Sequence, residues 1–193
     1  KTTDKYKLIM LLPILIYGHP TLRKVSEDIP TDYPDLDKFL KDMWQTMEES
    51  DGVGLAAPQV GKNIRIFVVN ADAFADIDPD CTGFRKAFIN AHILERTGEE
   101  ISRNEGCLSV PGIHEDVRRK DKIRIAYRDE DGVEREEEYE GIKAWIIQHE
   151  YDHLEGILFT DHLSGLKKRL LKNKLNNISL GKFKATYRVI LPK

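Results

Sequence analysis

Cysteine is scarce in this chain: two thiols in 193 residues, Cys81 and Cys107. So few exclude the disulfide framework of small secreted domains and point to a reducing compartment. An excess of positive charge is also missing, because 30 basic residues against 33 acidic ones leave a formal net charge of −3. That balance offers no electrostatic footprint for nucleic acid, and no direct sequence-specific nucleic-acid binding is expected. Long apolar runs are absent too, none approaching the roughly 20 residues of a transmembrane helix. The apolar stretch 8–17 follows a basic start and has the outline of a signal peptide. Pro13 interrupts it, Gly18-His19-Pro20 follows, and no small-residue cleavage pattern appears. The expectation is therefore a cytoplasmic protein that does not enter a membrane, with residues 1–11 a leader or an artificial extension. No repeat or linker divides the chain, so one domain over residues 1–193 is expected, with 40% hydrophobic residues to build its core.

Among the residues that are there, His149-Glu150-Tyr151-Asp152-His153 says most about chemistry. If residues 142–154 are helical, the two imidazoles stand one turn apart on one face, about 5–6 Å between Cβ atoms, and can grip one divalent metal. Glu150 between them can reach a water on that metal without being a ligand. Catalytic sites of this kind carry three protein ligands and an open position, so a third ligand is needed. Continuation of the motif as in the metzincin proteases fails, since Gly156 matches but Phe159 occupies the place of the third histidine. The remaining candidates are Cys81, Cys107, His19, His92, His114, His162 and the carboxylates. Cys107 stands out in Glu105-Gly106-Cys107-Leu108-Ser109-Val110-Pro111-Gly112, where Gly106 lets the backbone pass close to a ligand and Pro111 with Gly112 is expected to end an extended run in a turn.

Three blocks together resemble a known family. Gly52-Val53-Gly54-Leu55-Ala56-Ala57-Pro58-Gln59, the Glu105 to Ser109 segment and Gln148-His149-Glu150-Tyr151-Asp152-His153 are similar, in order, to the three motifs of the peptide deformylases. The resemblance extends over about residues 12–163. It implies a hydrolase that removes the formyl group from the formyl-methionine of newly made polypeptides, releasing formate. It implies metal ligands Cys107, His149 and His153, with Glu150 as general base and then acid, and Gln59 with the backbone N–H of Leu108 as oxyanion donors. The family works with Fe²⁺, and the same ligand types accept Zn²⁺, Ni²⁺ or Co²⁺. An extended formylated nascent peptide would pair through the backbone near Val53, Gly54 and Gly106. Transient ribosome association and no membrane partner follow from that substrate. Helical spacing puts Ile142, Trp145 and Ile146 on the face of His149, as a wall for the methionine side chain or as ordinary core.

The other residues have plainer readings. His19, His92 and His162 are expected to be structural or solvated, and Cys81 a bystander thiol among acidic neighbours. His114 stands where some family members carry arginine, so its role stays open, and Arg119 reads either as a partner of Glu105 across the site entrance, as the resemblance implies, or as a solvated surface arginine. Leu36, Phe39, Leu40, Met43 and Met47 recur at helical spacing behind Pro34. Residues 64–69 and 87–94 read as strands, 76–83 as a loop, and 122–128 with 133–140 as a hairpin about Asp131-Gly132. The acidic run 134–140 reads as a solvated strand face. A lysine-rich helix is expected at 165–177, and residues 179–193 form a tail to which the sequence assigns no role. The fold class is thus α+β, and the resemblance implies antiparallel sheets packed around a central metal-bearing helix, with a C-terminal helix. Two competing functions remain. A zinc endopeptidase would share the helix motif without the Gln59 and Cys107 blocks. A non-catalytic metal- or peptide-binding protein would have no need of Glu150.

Overall fold

The computed structural model describes residues 10–193; the leader reading of the N-terminus falls mostly on residues 1–9, outside them. Helix α1 (Leu36–Glu49) follows Pro34 as the apolar stripe predicts. Its buried Phe39, Leu40, Met43 and Met47 pack on strands β2 (Gly54–Ala56) and β3 (Ile66–Asn70). A short 3-10 turn at Asp72–Phe74 precedes the expected loop and a second at Pro79–Cys81 lies in it, with Cys81 buried in the core. A long hairpin comes next, β4 (Arg85–Cys107) with β5 (Val110–Arg128), and β6 (Glu134–Glu140) adds to it. These strands form one antiparallel sheet in the order β2-β3-β4-β5-β6.

Two details differ from the sequence reading. The hairpin is far longer than residues 87–94 and 122–128, because charge carries it where apolar alternation is absent. Glu100 lies opposite Lys120 and Glu95 opposite Arg124, whose guanidinium also reaches Glu136 at 2.5 Å. The turn that ends the Cys107 run falls at Leu108 and Ser109, and not at Pro111-Gly112, which continue into β5. Cys107 and Val110 already pair there, so the chain reverses before Pro111 is reached. The face of β6 is also less solvated than expected. Tyr139 is buried, and Glu137 accepts from Lys86 at 3.0 Å, from Tyr127 at 2.5 Å and from Tyr139.

Helix α2 (Gly141–Leu154) crosses this sheet. Ile142, Ala144, Ile146, Ile147, Tyr151 and Leu154 are buried on several sides, so the helix is enclosed and not amphipathic. That enclosure buries the polar Gln148, Glu150, Asp152 and His153 with it. A 3-10 turn (Phe159–His162) leads to α3 (Gly165–Ser179), capped by the Ser164 side chain. Beyond α3 the chain doubles back, and β7 (Val189–Ile190) pairs in parallel with β1 (Ile14–Leu15). None of the helices among the described residues is long and apolar enough to cross a membrane.

Candidate metal centre and substrate cleft

Two elements bring the centre together. Helix α2 stacks His149 and His153, their rings 5.3 Å apart, and the end of β4 carries Cys107 to them. One ligand atom from each of the three lies within 4.8 Å of the others. Cys107 Sγ is 3.4 Å from His153 Nε2, which fits the edge, about 3.5 Å, of a tetrahedron with bonds of roughly 2.0–2.3 Å. No ligand set including Cys81, His19, His92 or His162 forms among the described residues. The histidines outside the centre have local partners: His19 accepts from the Thr21 N–H, His92 meets Asp28 at 2.9 Å, and His162 Nε2 lies 2.7 Å from Asp152.

Behind the ligands sits a buried charge network. Glu105 Oε2 accepts from His149 Nδ1 at 2.7 Å and from Arg119 at 3.0 Å, while Oε1 accepts from Arg119 Nε and the Trp145 indole, both at 2.6 Å. Arg119 continues to Asp152 at 2.8 Å. The pair Arg119–Glu105 is therefore present but lies buried behind the ligands, Arg119 8% and Glu105 2% exposed, and not at the entrance. Burial alone would raise the Glu105 pKa, but the His149 and Arg119 hydrogen bonds hold it well below the usual carboxylate range. An ionised Glu105 holds a proton on His149 Nδ1, so a metal bound at Nε2 would take the place of the second proton. Burial opposes protonation of His149, yet contacts with Cys107 and Glu105 raise its pKa well above the ordinary value. His153, disfavoured as a cation by burial and by His149, is pushed down to about 3 and stays a neutral donor. Phe159, standing where a third histidine would be, is buried and stacks on the His149 ring at 6.1 Å.

Glu150 is packed directly against Gly54, where any Cβ would collide with its carboxylate. Its Oε2 is buried with no hydrogen-bond partner among the described residues, and burial raises its pKa to about 7. A cation on the three ligands would pull the other way. Gln59 is buried beside it, its Oε1 accepting from the Ala56 N–H at 2.9 Å and its Nε2 donating to Ser109 Oγ at 3.1 Å and towards Cys107 Sγ at 3.4 Å. A thiol and two imidazoles converge on one spot beside a carboxylate oxygen that has no partner among the described residues, a donor set of mixed softness that fits a divalent transition metal.

A cleft of about 910 Å³ opens onto this spot. Val53, Gly54, Gly106, Leu108, Trp145 and Ile146 line it, as the sequence suggests. Ile142 does not; one turn and more before the ligands, it is 4% exposed and packed in the core, so it is no part of the cleft wall. His114 also lines the cleft and lies over Gly106, where a Cβ would come within 2.6 Å of its ring. Phe74 and residues 183–187 complete the wall, and sequence reasoning missed both. Burial and the nearby Cys107 push the Tyr187 phenol up to about 12. Glu105 was legible only as a partner for Arg119. Its spacing from Cys107 is the stronger signal, since residues i and i+2 of a strand share a face.

The profile of the polypeptide deformylases matches residues 11–169. A peptide deformylase of Christiangramia forsetii is 50% identical over 190 residues, covering 95% of this chain and 97% of that one. The chain belongs to the polypeptide deformylase family. Another peptide deformylase, from Flavobacterium johnsoniae, is 51% identical over 187 residues, covering 93% and 95%. Among solved structures, a Plasmodium falciparum peptide deformylase in complex with an inhibitor has a TM-score of 0.74 at 36% identity, covering 86% and 97%. That of Synechococcus elongatus, in complex with actinonin, also has a TM-score of 0.74, at 32% identity over 98% and 97%. As a peptide deformylase the chain is a metal-dependent hydrolase acting on formylated nascent peptides, and the zinc-endopeptidase and purely binding alternatives give way to it.

Proposed function

We propose that deformylation in this chain is carried by Cys107, His149 and His153 as metal ligands and Glu150 as the proton carrier, in one domain spanning the described residues. The observation that carries the reading is that Cys107, His149 and Glu150 line one cleft, with His153 buried behind them within ligand distance of Cys107 and His149 and with Glu150 pressed against Gly54. A divalent cation there supplies Lewis-acid activation of water and of the formyl oxygen at neutral pH. Glu150 accepts the proton of the attacking water and then delivers it to the departing amine. Formate and a free methionyl amino group result. Gln59 Nε2 and the Leu108 N–H donate to the oxygen that becomes negative when the formyl carbon turns tetrahedral. Glu105 keeps His149 oriented through Nδ1.

The peptide lies along the backbone of Val53, Gly54 and Gly106, and Trp145 with Ile146 receives the methionine side chain. Fe²⁺ is the working ion in this reading, with Zn²⁺, Ni²⁺ or Co²⁺ able to replace it on the same ligands. The site of action is the cytoplasm, in transient association with the ribosome, because the substrate is a nascent chain. The test compares formate release from formyl-Met-Ala-Ser with hydrolysis of acetyl-Met-Ala-Ser and of an internal peptide bond. Release confined to the formylated peptide supports the proposal, and cleavage of the internal bond overturns it.

A further inference from the structure

One wall of the cleft comes from the far end of the chain. Residues 183–187 line it, although they lie beyond residue 169, where the family profile ends. The segment is anchored on both sides. Phe183 and Val189 pack on the cluster that holds Val110 and Ile113, and Tyr187 packs on the cluster that Leu108 joins. Past Tyr187 the chain is tied to β1, the Ile14 N–H donating to Arg188 at 2.9 Å and the Ile16 N–H to Ile190 at 3.0 Å. Between the anchors, Lys184, Ala185 and Thr186 are exposed along the cleft. Their backbone groups make no hydrogen bond to another described residue, so they are open to an extended peptide.

The same segment grips the catalytic turn. Tyr187 donates its hydroxyl to the Leu108 carbonyl at 2.7 Å, and the Tyr17 N–H donates to the Ser109 carbonyl at 2.8 Å. Both ends of the chain thus hold the two residues that follow Cys107. A cleft of about 910 Å³ also has more room than one formylated residue fills, standing near the top of the range of about 300–1,000 Å³ for small-molecule sites.

We propose that residues 183–187 are a strap that receives the peptide downstream of the formylated residue, and that Tyr187 is a positioning residue that sets Leu108 for catalysis. The proposal rests on the deformylase reading above. Its test uses the full, metal-loaded chain with formyl-methionine amide and formyl-Met-Ala-Ser, together with calorimetric binding of the deformylated Met-Ala-Ser. With Lys184, Ala185 and Thr186 all replaced by glycine, which keeps their backbone groups but raises the entropic cost of ordering the strap along a peptide, the preference in kcat/KM for the tripeptide over the amide should fall at least about fivefold, and Met-Ala-Ser should bind correspondingly more weakly. In Tyr187→Phe, kcat per bound metal should fall about 3–10-fold with KM and metal content kept, and Tm should drop only by the few degrees that one neutral hydrogen bond is worth. A purely structural Tyr187 would instead lower metal content and leave kcat per metal intact. An unchanged length preference together with unchanged Met-Ala-Ser affinity overturns the strap, and an unchanged kcat in Tyr187→Phe overturns the positioning role. If the wild-type chain releases no formate, the deformylase reading fails, and peptide calorimetry still decides whether the strap binds.

Discussion

Replacing Glu105 by Gln removes the charge that organises the metal centre without touching the ligands. One Glu105 oxygen accepts from Arg119 Nε and Trp145 Nε1, the other from Arg119 and His149, at 2.6–3.0 Å. Gln keeps the volume, but either orientation of its amide points an NH₂ group at a pair of donors. Removing one partner of a buried ion pair costs about 3–5 kcal/mol. Asp152 still neutralises part of Arg119 at 2.8 Å, which puts the expected loss at the lower end, about 3 kcal/mol or roughly 6–12 °C in the Tm of a chain this size. His149 loses the acceptor that fixes its tautomer, so metal affinity should drop about 10–100-fold. The pH dependence has a definite sign. The folded pKa of Glu105 is lowered from 4.5, so its stabilisation is fully present above 4.5 and is lost as pH falls below that value towards the folded pKa. The Tm gap between wild type and Glu105→Gln should therefore be widest at neutral pH and narrow below 4.5. Chelator competition for metal and calorimetry of the metal-free proteins against pH measure both effects. Equal metal affinity with a Tm gap independent of pH would refute the reasoning.

Other outcomes follow from the same geometry. Cys107→Ala should abolish tight metal binding by removing the thiolate, while Cys81→Ser should leave metal content unchanged, since Cys81 lies in the core away from the cluster; metal content measured on both variants decides it. Gln59→Leu removes the Nε2 donor at roughly constant volume, so kcat should fall on the order of 10²-fold with metal content retained, and an effect confined to KM would make Gln59 a substrate-binding residue. Iron-loaded protein should be the most active form and should lose activity under peroxide, which oxidises Fe²⁺ and takes the Cys107 thiolate to sulfenic acid, while nickel-loaded protein survives; equal activity and equal peroxide resistance of iron- and zinc-loaded protein would refute iron as the working ion.

The metal helix was legible because its information is local: a 3.6-residue period places His149 and His153 together whatever surrounds them. Cys107 was legible as a block, though not its turn, since Pro111 and Gly112 carry stronger turn propensity than Leu108 and Ser109 yet lie in β5. The arm of β4 and β5 escaped notice because it is exposed and charged, and its pairing depends on cross-strand partners that no single strand displays. Ile142 shared the helical spacing of Trp145 and Ile146, but spacing does not say which turns of a helix the sheet covers. The strap was invisible for a plainer reason. Tyr187 meets Leu108 across 79 positions, and no local pattern encodes such a contact.

The division of labour inside α2 is tested most directly by Glu150→Gln. Glu150 is packed against Gly54 and lies outside the ligand cluster, so the variant should bind stoichiometric metal. Without a group to accept and return the proton, formate release from formyl-Met-Ala-Ser should fall at least about 10²-fold. Metal content and turnover measured on the same sample decide the matter: full metal with lost turnover is the expected result, and full activity, or loss of the metal itself, would contradict the account.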